Sequence, residues 1–377
     1  METPLQRQRR RIDMTLSEIT HLFSSAQELA YSGKLLEAES LLMEIYREDP
    51  GLFPPLVLLA QIKEALGKPE EALPLYEAAI RLVPGHALPF TRRALILLRR
   101  AYPLEGVSKS LQSGQPLVTM RSLGLNGRFG NQLLQYGYLS LYARRCDAQV
   151  CVPDWIGRDL YGLSDPFPPS NASFEDMSEP EVLEVLAGHM PEKTGVNLSG
   201  YFCGDTALLS GEREHFRACF LVAPTWLPLV AQWEATLRDK GNTLVVLHLR
   251  RGDFGQGPFW IAPNAWYLDW LSAHWSGLEK PVLYIATDDD GMVADFAAYA
   301  PVTGNQLQAP ILGAEFFVDH SVMRVADYLL ISNSTFSATA ALLSERGGRC
   351  YRPDRVTGQL RTYDPWASPV LIQQEDA

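Results

Sequence analysis

The residues with the clearest chemical potential lie where an apolar segment ends in charge. The stretch TLVVLHLRRGD, residues 243–253, runs from a predicted strand into His248, Arg250, Arg251 and Asp253. Ligands of α/β proteins bind at the carboxyl ends of strands, and a guanidinium holds a phosphate through paired N–H donors. Because strand neighbours point to opposite sides, Arg250, on the side of His248, is predicted to face an anion. Arg251 would pair with Asp253 or nearby backbone. The alternative to an anion site is that the whole segment is an ordinary loop held by salt bridges.

A second candidate is a glycine-rich loop before a helix. Gly124, Gly127 and Gly130 follow a predicted strand, and Asn131 opens an amphipathic helix. Backbone amides at such a junction can approach a phosphate, although the glycine spacing does not match the dinucleotide-binding fingerprint. Arg128, between two of the glycines, is predicted to reach an anion, with an exposed surface turn as the alternative.

Two further strands are predicted to end in polar residues. Asp288, Asp289 and Asp290 follow VLYIAT, and carboxylates there could hold Mg²⁺ or Mn²⁺, bind sugar hydroxyls or cap the next helix. Hydroxyl groups also open an alanine-rich helix, and they suit either phosphate binding or N-capping, with capping favoured by the residues alone. These hydroxyl residues are Ser334, Thr335 and Ser337.

Two other side chains are candidates for recognising parts of a ligand. Asp319 could accept paired N–H bonds from a guanine edge. Trp260 lies in an aromatic-rich stretch, where it, Phe259 or Trp266 could stack on a sugar face. The alternative is that the predicted helix over 264–275 buries its own aromatic side chains.

Strands and helices alternate from residue 117 onward, and this alternation predicts parallel sheets covered by helices on both faces. The chain from 117 to 377 is long enough for two such α/β units with a ligand cleft between them. The predicted strands are PLVTM (116–120), AQVCV (148–152), TLVVLHL (243–249), PVLYIA (281–286) and DYLLIS (327–332).

Residues 18–101 have a different pattern, helical throughout and repeating every 34 residues. Matched pairs include Gly33 and Gly67, Lys34 and Lys68, Glu37 and Glu71, Ala38 and Ala72, and Pro50 and Pro84. The period and its small residues resemble tetratricopeptide repeats. Such an array could hold a protein partner or an acceptor, or could serve only as a docking, solubility or oligomerisation device. Residues 102–116 are predicted to be a linker.

Composition limits the remaining possibilities. The net charge of −11 argues against general nucleic-acid binding. The five cysteines form an odd set without metal-ligand spacing, which fits a reducing compartment. No apolar segment follows the basic tail at 1–17, and no apolar run approaches the roughly 20 residues of a membrane span. We therefore expect a cytoplasmic protein without a membrane span.

Several of these stretches occur in the same order in fucosyltransferases. The blocks are GRFGNQLLQY (127–136), GYF (200–202), HLRRGD (248–253), ATDD (286–289) and ISNSTFSATAALL (331–343). Over about residues 117–345 the chain most resembles bacterial α-1,2-fucosyltransferases of glycosyltransferase family 11, and it shares blocks with α-1,6 and protein O-fucosyltransferases. The resemblance implies a GT-B fold of two Rossmann-like domains, an acceptor-side domain over 117–240 and a donor-binding domain over 241–377. It also implies GDP-fucose as donor, inversion at the anomeric carbon, and neither an essential metal nor a cofactor.

The resemblance also implies roles for single residues. Arg250 would neutralise the departing β-phosphate. No position matches a general base of the family unambiguously, so Asp253 is the candidate on its position alone, and a reaction without a dedicated base is the alternative. Asn131, the third candidate catalytic residue, lies with Arg128 where the other domain approaches donor and acceptor. The remaining donor-binding residues would be His248, Arg251, Asp319, Ser334, Thr335 and Ser337. Asp288 and Trp260 are the candidate acceptor-binding residues.

One departure from the family leaves alternatives open. Family members carry two tryptophans after the hydroxyl-rich block, where this chain has Ala338 and Thr339. A glycosyltransferase that uses another nucleotide sugar, with a metal held by the aspartates at 288–290, is therefore an alternative. A non-catalytic repeat adaptor is the other.

Overall fold

A computed structural model describes residues 14–103, 108–255, 259–307 and 310–372. The chain divides into two compact units, Met1–Ile96 and Leu97–Ala377. Most of the predicted basic tail, and residues 104–107 of the predicted linker, lie outside the described residues.

The first unit is helical, which confirms the helical prediction for this part of the chain. Its helices, the last of which continues past Ile96, are α1 (Leu16–Tyr31), α2 (Leu35–Glu48), α3 (Phe53–Ala65), α4 (Pro69–Leu82) and α5 (Ala87–Ala101). Gly33 and Gly67 end the first and third helices with φ of +78° and +73°, a conformation that glycine adopts without strain. The matched alanines Ala38 and Ala72 are fully buried. Assignment to the tetratricopeptide class stays a prediction.

The second unit contains two sheets. The first has the order β2-β1-β4-β3, and all its strand pairs are parallel. Its strands and helices are β1 (Leu117–Thr119), α6 (Phe129–Arg145), β2 (Gln149–Cys151), α7 (Ile156–Tyr161), β3 (Glu175–Ser178), α8 (Glu179–Leu186) and β4 (Val196–Ser199). A 3-10 segment (Ala207–Glu212) and two helices, α9 (Arg213–Ala218) and α10 (Leu227–Arg238), lead to the second sheet.

The second sheet has the order β10-β9-β8-β5-β6-β7 and is parallel except for its terminal β9–β10 pair. Its strands are β5 (Thr243–Leu249), β6 (Pro281–Thr287), β7 (Val302–Thr303), β8 (Tyr328–Leu330), β9 (Arg349–Asp354) and β10 (Gln359–Thr362). Its helices are α11 (Asn264–His274), α12 (Phe316–Arg324) and α13 (Thr335–Leu342), and 3-10 turns cover Trp275–Gly277, Asp290–Tyr299 and Gly304–Gln306.

The strand β5 lies inside the second sheet, and the alternation of its side chains explains its apolar sequence. Val245, Leu247 and Leu249 are buried on one face, in a cluster that includes Tyr267 and Leu271 of α11. His248 belongs to the opposite face, because alternate residues of a strand point to opposite sides.

The chain is thus a mixed α/β protein with parallel sheets and many helices, which confirms the coarse fold prediction. The GT-B pair of Rossmann-like domains stays a prediction. Among the described residues, no helix combines the length and apolar character that a membrane crossing requires.

Candidate functional site

The carboxyl ends of β5 and β6 bring together the charged segment after Leu249 and the three aspartates at 288–290. The strands are parallel neighbours, with Leu249 opposite Thr287. Asp288 therefore follows β6 at the point where Arg250 follows β5, and Oδ2 of Asp288 lies 2.7 Å from Nη1 of Arg250. The sequence suggested both strand ends but could not predict this ion pair.

Arg250 also pairs with a carboxylate of its own loop. Its Nη2 donates to Oδ1 of Asp253, and its guanidinium lies 5.4 Å from the ring centre of Phe254. The side chain remains 16% exposed. Arg250 is therefore a partly shielded cation that two carboxylates and one aromatic ring hold in place.

Arg128 reaches the same loop from the other sheet. It stands immediately before α6, and its Nη2 lies 3.4 Å from Oδ2 of Asp253. Burial, followed by the positive charge of Arg250, lowers the pKa of Arg128. The fold thus gathers two guanidinium groups around the carboxylate of Asp253, an arrangement suited to an anion with several oxygens.

Arg251 has a separate, buried environment. Its guanidinium donates to the carbonyl of Ala262 at 3.1 Å and to Oδ1 of Asn264, while its backbone N–H donates to Asp288 at 2.7 Å. Arg250, rather than Arg251, pairs with Asp253. The difference arises because the Arg251 side chain extends toward the start of α11 and fastens the loop there.

His248 is buried beside a serine that follows β8. Its Nδ1 lies 2.8 Å from Oγ of Ser332. Burial, with the positive charges of Arg250 and Arg251, lowers the pKa of His248 to about 3. The imidazole is therefore neutral at physiological pH, and it can line the site and form hydrogen bonds there.

The hydroxyl-rich loop lies at the start of α13. Ser334 is the N-cap, and its Oγ accepts from the N–H of Phe336 at 3.3 Å. Ser337 is fully buried and donates to the carbonyls of Ser332 and Ser334, whereas Thr335 is partly exposed. The hydroxyl of Ser334 therefore caps α13, and the hydroxyl of Ser337 fastens the loop that precedes this helix.

The helices α6 and α13 approach each other closely at their amino ends. A Cβ on Gly130 would lie 2.5 Å from the backbone nitrogen of Phe336. Only glycine permits this approach. Asn131, the next residue of α6, accepts a hydrogen bond from the thiol of Cys203 at 3.6 Å. Asn131 thus lies close to the contact between α6, which belongs to the first sheet, and α13, which belongs to the second.

Asp319, on α12, forms a partly buried pair with Tyr284 of β6. The phenol of Tyr284 in β6 donates to its Oδ1 at 2.5 Å. Burial raises the pKa of Asp319 to about 7, and the hydrogen bond from Tyr284 opposes that rise. This carboxyl group therefore changes charge near neutral pH.

The three consecutive aspartates have different partners. Asp288 binds Arg250, Asp289 accepts from Gly291 N–H at 3.0 Å, and Asp290 accepts from Asn305 at 3.3 Å. Within the described ranges, no group of three or more histidine, cysteine, aspartate or glutamate residues is arranged to hold a metal. Each of the three carboxylates thus has a partner within the chain.

Aromatic side chains also surround the loop after β5. Trp260 packs 6.1 Å from the ring of Trp266, and Arg355 lies 5.4 Å from its ring centre. The ring beside Arg250 is instead Phe254, whose neighbour Phe259 is 43% exposed. Residues 256–258 of this stretch lie outside the described residues.

The predicted site residues did not include Phe254, and Ser332 was one of the hydroxyl residues at the strand end without a predicted donor-binding role. The position of Phe254, directly after the charged block, was the available signal. Ser332 carried the weaker signal of standing at a strand end two residues before the hydroxyl group of Ser334.

Neither protein-family models nor curated proteins match the sequence. Among solved structures, the chain is similar to NodZ alpha-1,6-fucosyltransferase soaked with GDP-fucose (13% identity, TM-score 0.44, 66% of this chain and 99% of that chain). It is also similar to fucosyltransferase NodZ from Bradyrhizobium (13% identity, TM-score 0.44, 67% of this chain and 100% of that chain). A third similar structure is an Arabidopsis thaliana FUT1 mutant in complex with GDP. It is 13% identical with a TM-score of 0.45, and the match covers 68% of this chain and 74% of that chain. Similarities of this size assign neither a fold family nor an activity to this chain.

Proposed function

We propose that the chain is an inverting fucosyltransferase that moves L-fucose from GDP-fucose to a hydroxyl group of a glycan or glycosylated acceptor. The observation that carries the proposal is the meeting of Arg128 and Arg250 at Asp253, beside the hydroxyl-lined start of α13. Two cations at the end of a central strand suit a diphosphate, whose charge increases as it leaves. The five ordered sequence blocks, which resemble those of fucosyltransferases, support GDP-fucose as the donor.

The reaction assigned to this site is a single displacement. The bond between fucose C1 and the β-phosphate oxygen breaks, and its electron pair leaves with GDP. The acceptor oxygen attacks C1 from the opposite face, and its proton passes to Asp253, the proposed base, once this carboxylate has left the two arginines. Arg250 and Arg128 stabilise the charge on the departing diphosphate, and Asn131 helps to align the acceptor.

The remaining residues bind the donor or hold other groups in place. The ionised form of Asp319 would accept the N–H groups of guanine, and the neutral His248 would line the diphosphate pocket. Ser334, Thr335 and Ser337 shape the start of α13, where phosphate or fucose would lie. Asp288 and Arg251 fix the orientation of the Arg250 loop.

We assign the acceptor to the open side of the same loop. Trp260 and Asp288 are the proposed acceptor contacts, and the helical repeats are the proposed site for a protein partner or acceptor. The five cysteines are all free thiols, which is consistent with work in the cytoplasm.

Calorimetric titration with GDP-fucose, GDP, GDP-mannose and UDP-glucose tests the donor assignment. We expect GDP and GDP-fucose to bind with similar affinity and UDP-glucose to bind at least tenfold more weakly. Transfer of labelled fucose to a glycan panel, with and without EDTA, then tests the reaction. Preference for a UDP-sugar, loss of transfer in EDTA, or binding of no nucleotide at all would contradict the proposal.

A further inference from the structure

The carboxylate of Asp253 occupies the position that an anionic ligand of this site would take. Its Oδ1 accepts from Arg250, and its Oδ2 lies 3.4 Å from Arg128. Two oxygens of one anionic group thus face two guanidiniums, which is also how a diphosphate would meet them.

The charge balance of this group opposes the binding of an anion. The two arginines carry two positive charges, and Asp253 and Asp288 carry two negative charges. A diphosphate that enters among these paired charges gains little unless one carboxylate gives up its place.

The two carboxylates differ in how firmly the fold holds them. Asp288 directly follows β6 and accepts the backbone N–H of Arg251 at 2.7 Å, so a main-chain bond fixes it. Asp253 lies four residues beyond the end of β5, and its side chain is as exposed as that of Asp288, at 27%, so only the main-chain bond distinguishes the two. Within the described residues, the guanidinium groups of Arg250 and Arg128 are the only polar partners of Asp253.

We propose that Asp253 is an internal counter-anion, which the diphosphate of the donor displaces from Arg128 and Arg250 on binding. Arg250 keeps its ion pair with Asp288 during this exchange, so its position is preserved. The released carboxylate becomes available to the acceptor hydroxyl only when the donor is bound. This inference rests on the proposed function, because it assumes a diphosphate ligand.

The test is the affinity of the full chain for GDP and for inorganic pyrophosphate, measured by calorimetry at low ionic strength. Asp253→Asn removes the competing charge with little change in shape, and Asp253→Ser removes it with a smaller side chain. We expect both variants to bind GDP and pyrophosphate about two- to fivefold more tightly than the unaltered chain, as removal of a partly exposed ion pair allows. Asp269→Asn, on the exposed side of α11, is the matched control and should leave both affinities unchanged.

The outcomes separate the inference from the proposed function. If the unaltered chain binds GDP and the Asp253 variants bind it equally or more weakly, the inference is wrong and the proposed function stands. If the unaltered chain binds neither GDP nor GDP-fucose, the proposed function is wrong. Tighter binding by folded variants cannot arise from general damage, so a gain supports the displacement directly.

Discussion

Arg250 and Arg251 are adjacent in the chain, but their guanidinium groups belong to different parts of the structure. Arg250 lies between Asp253 and Asp288 and remains partly exposed. Arg251 is buried against the start of α11, where it donates to a carbonyl and a side-chain amide. One arginine is therefore placed for a ligand, and its neighbour fastens the loop.

Replacement of Arg251 should affect stability more than nucleotide binding. A lysine keeps the charge but cannot donate from a planar fork to both Ala262 and Asn264. We expect Arg251→Lys to lower the free energy of unfolding by about 1–3 kcal/mol, measured by urea denaturation. Arg250→Lys should do the reverse, with a larger loss of GDP affinity and a smaller loss of stability. Equal effects of the two changes on GDP affinity would show that the assignment of Arg250 to the ligand and Arg251 to the loop is wrong.

His248 should make the fold sensitive to acid. Its pKa of about 3 in the folded chain lies below the ordinary value of 6.5, so the unfolded chain binds the proton more readily between these values. The stability from this group is present above about pH 6.5 and is lost as the pH falls toward 3. The slope reaches about 1.4 kcal/mol per pH unit.

The variant His248→Gln lacks this titration and should lose less stability than the unaltered chain between pH 7 and pH 4.5. Denaturant titrations across that range provide the measurement. Parallel pH profiles for the two proteins would contradict a buried, neutral histidine at this position.

Gly130 should be indispensable for the contact between α6 and α13. A methyl group there would press on the backbone of Phe336, and overpacking of this kind costs about 1–3 kcal/mol. We expect Gly130→Ala to lower both the melting temperature and the affinity for GDP. Gly211→Ala is the matched control, because a Cβ at that position meets nothing within 4 Å. A Gly130→Ala variant as stable as this control would disprove the close approach.

Binding of GDP-fucose should depend on pH through Asp319. Its pKa of about 7 means that the ionised form, which would accept the guanine N–H groups, increases as the pH rises from 6 to 8. We expect affinity for GDP-fucose to increase over this range and to be flat for Asp319→Asn. GDP-fucose is the suitable probe because its diphosphate, unlike that of GDP, has no terminal phosphate that titrates near pH 6. An unchanged pH dependence in Asp319→Asn would remove this residue from guanine recognition.

Continuous apolar runs made several strands predictable from the sequence. The prediction for residues 243–249 matches β5 throughout, and the one for residues 281–286 differs from β6 by a single residue. The predictions did not include β3, because Glu175–Ser178 buries only Met177 and so lacks an apolar run. They also did not include β9 and β10, whose side chains are largely polar and partly exposed.

The site was predictable in its residue types but not in its pairings. Strand alternation predicted different surroundings for Arg250 and Arg251. Of the two partners suggested for Arg251, the structure shows backbone carbonyls, whereas Asp253 pairs with Arg250. That pairing depends on the path of the loop after Leu249 and on the arrival of Arg128 from another sheet. Such contacts join residues distant in the chain, and local patterns carry no information about them.

The most direct measurement is the rate at which the purified chain releases GDP from GDP-fucose in the presence of a glycan panel, compared with Arg250→Ala. We expect one GDP released for each fucose transferred, and a rate about 100-fold lower in the folded variant, as for loss of a leaving-group contact. Equal rates for the two proteins, or no release by the unaltered chain, would contradict the assignment of Arg250 to the departing diphosphate.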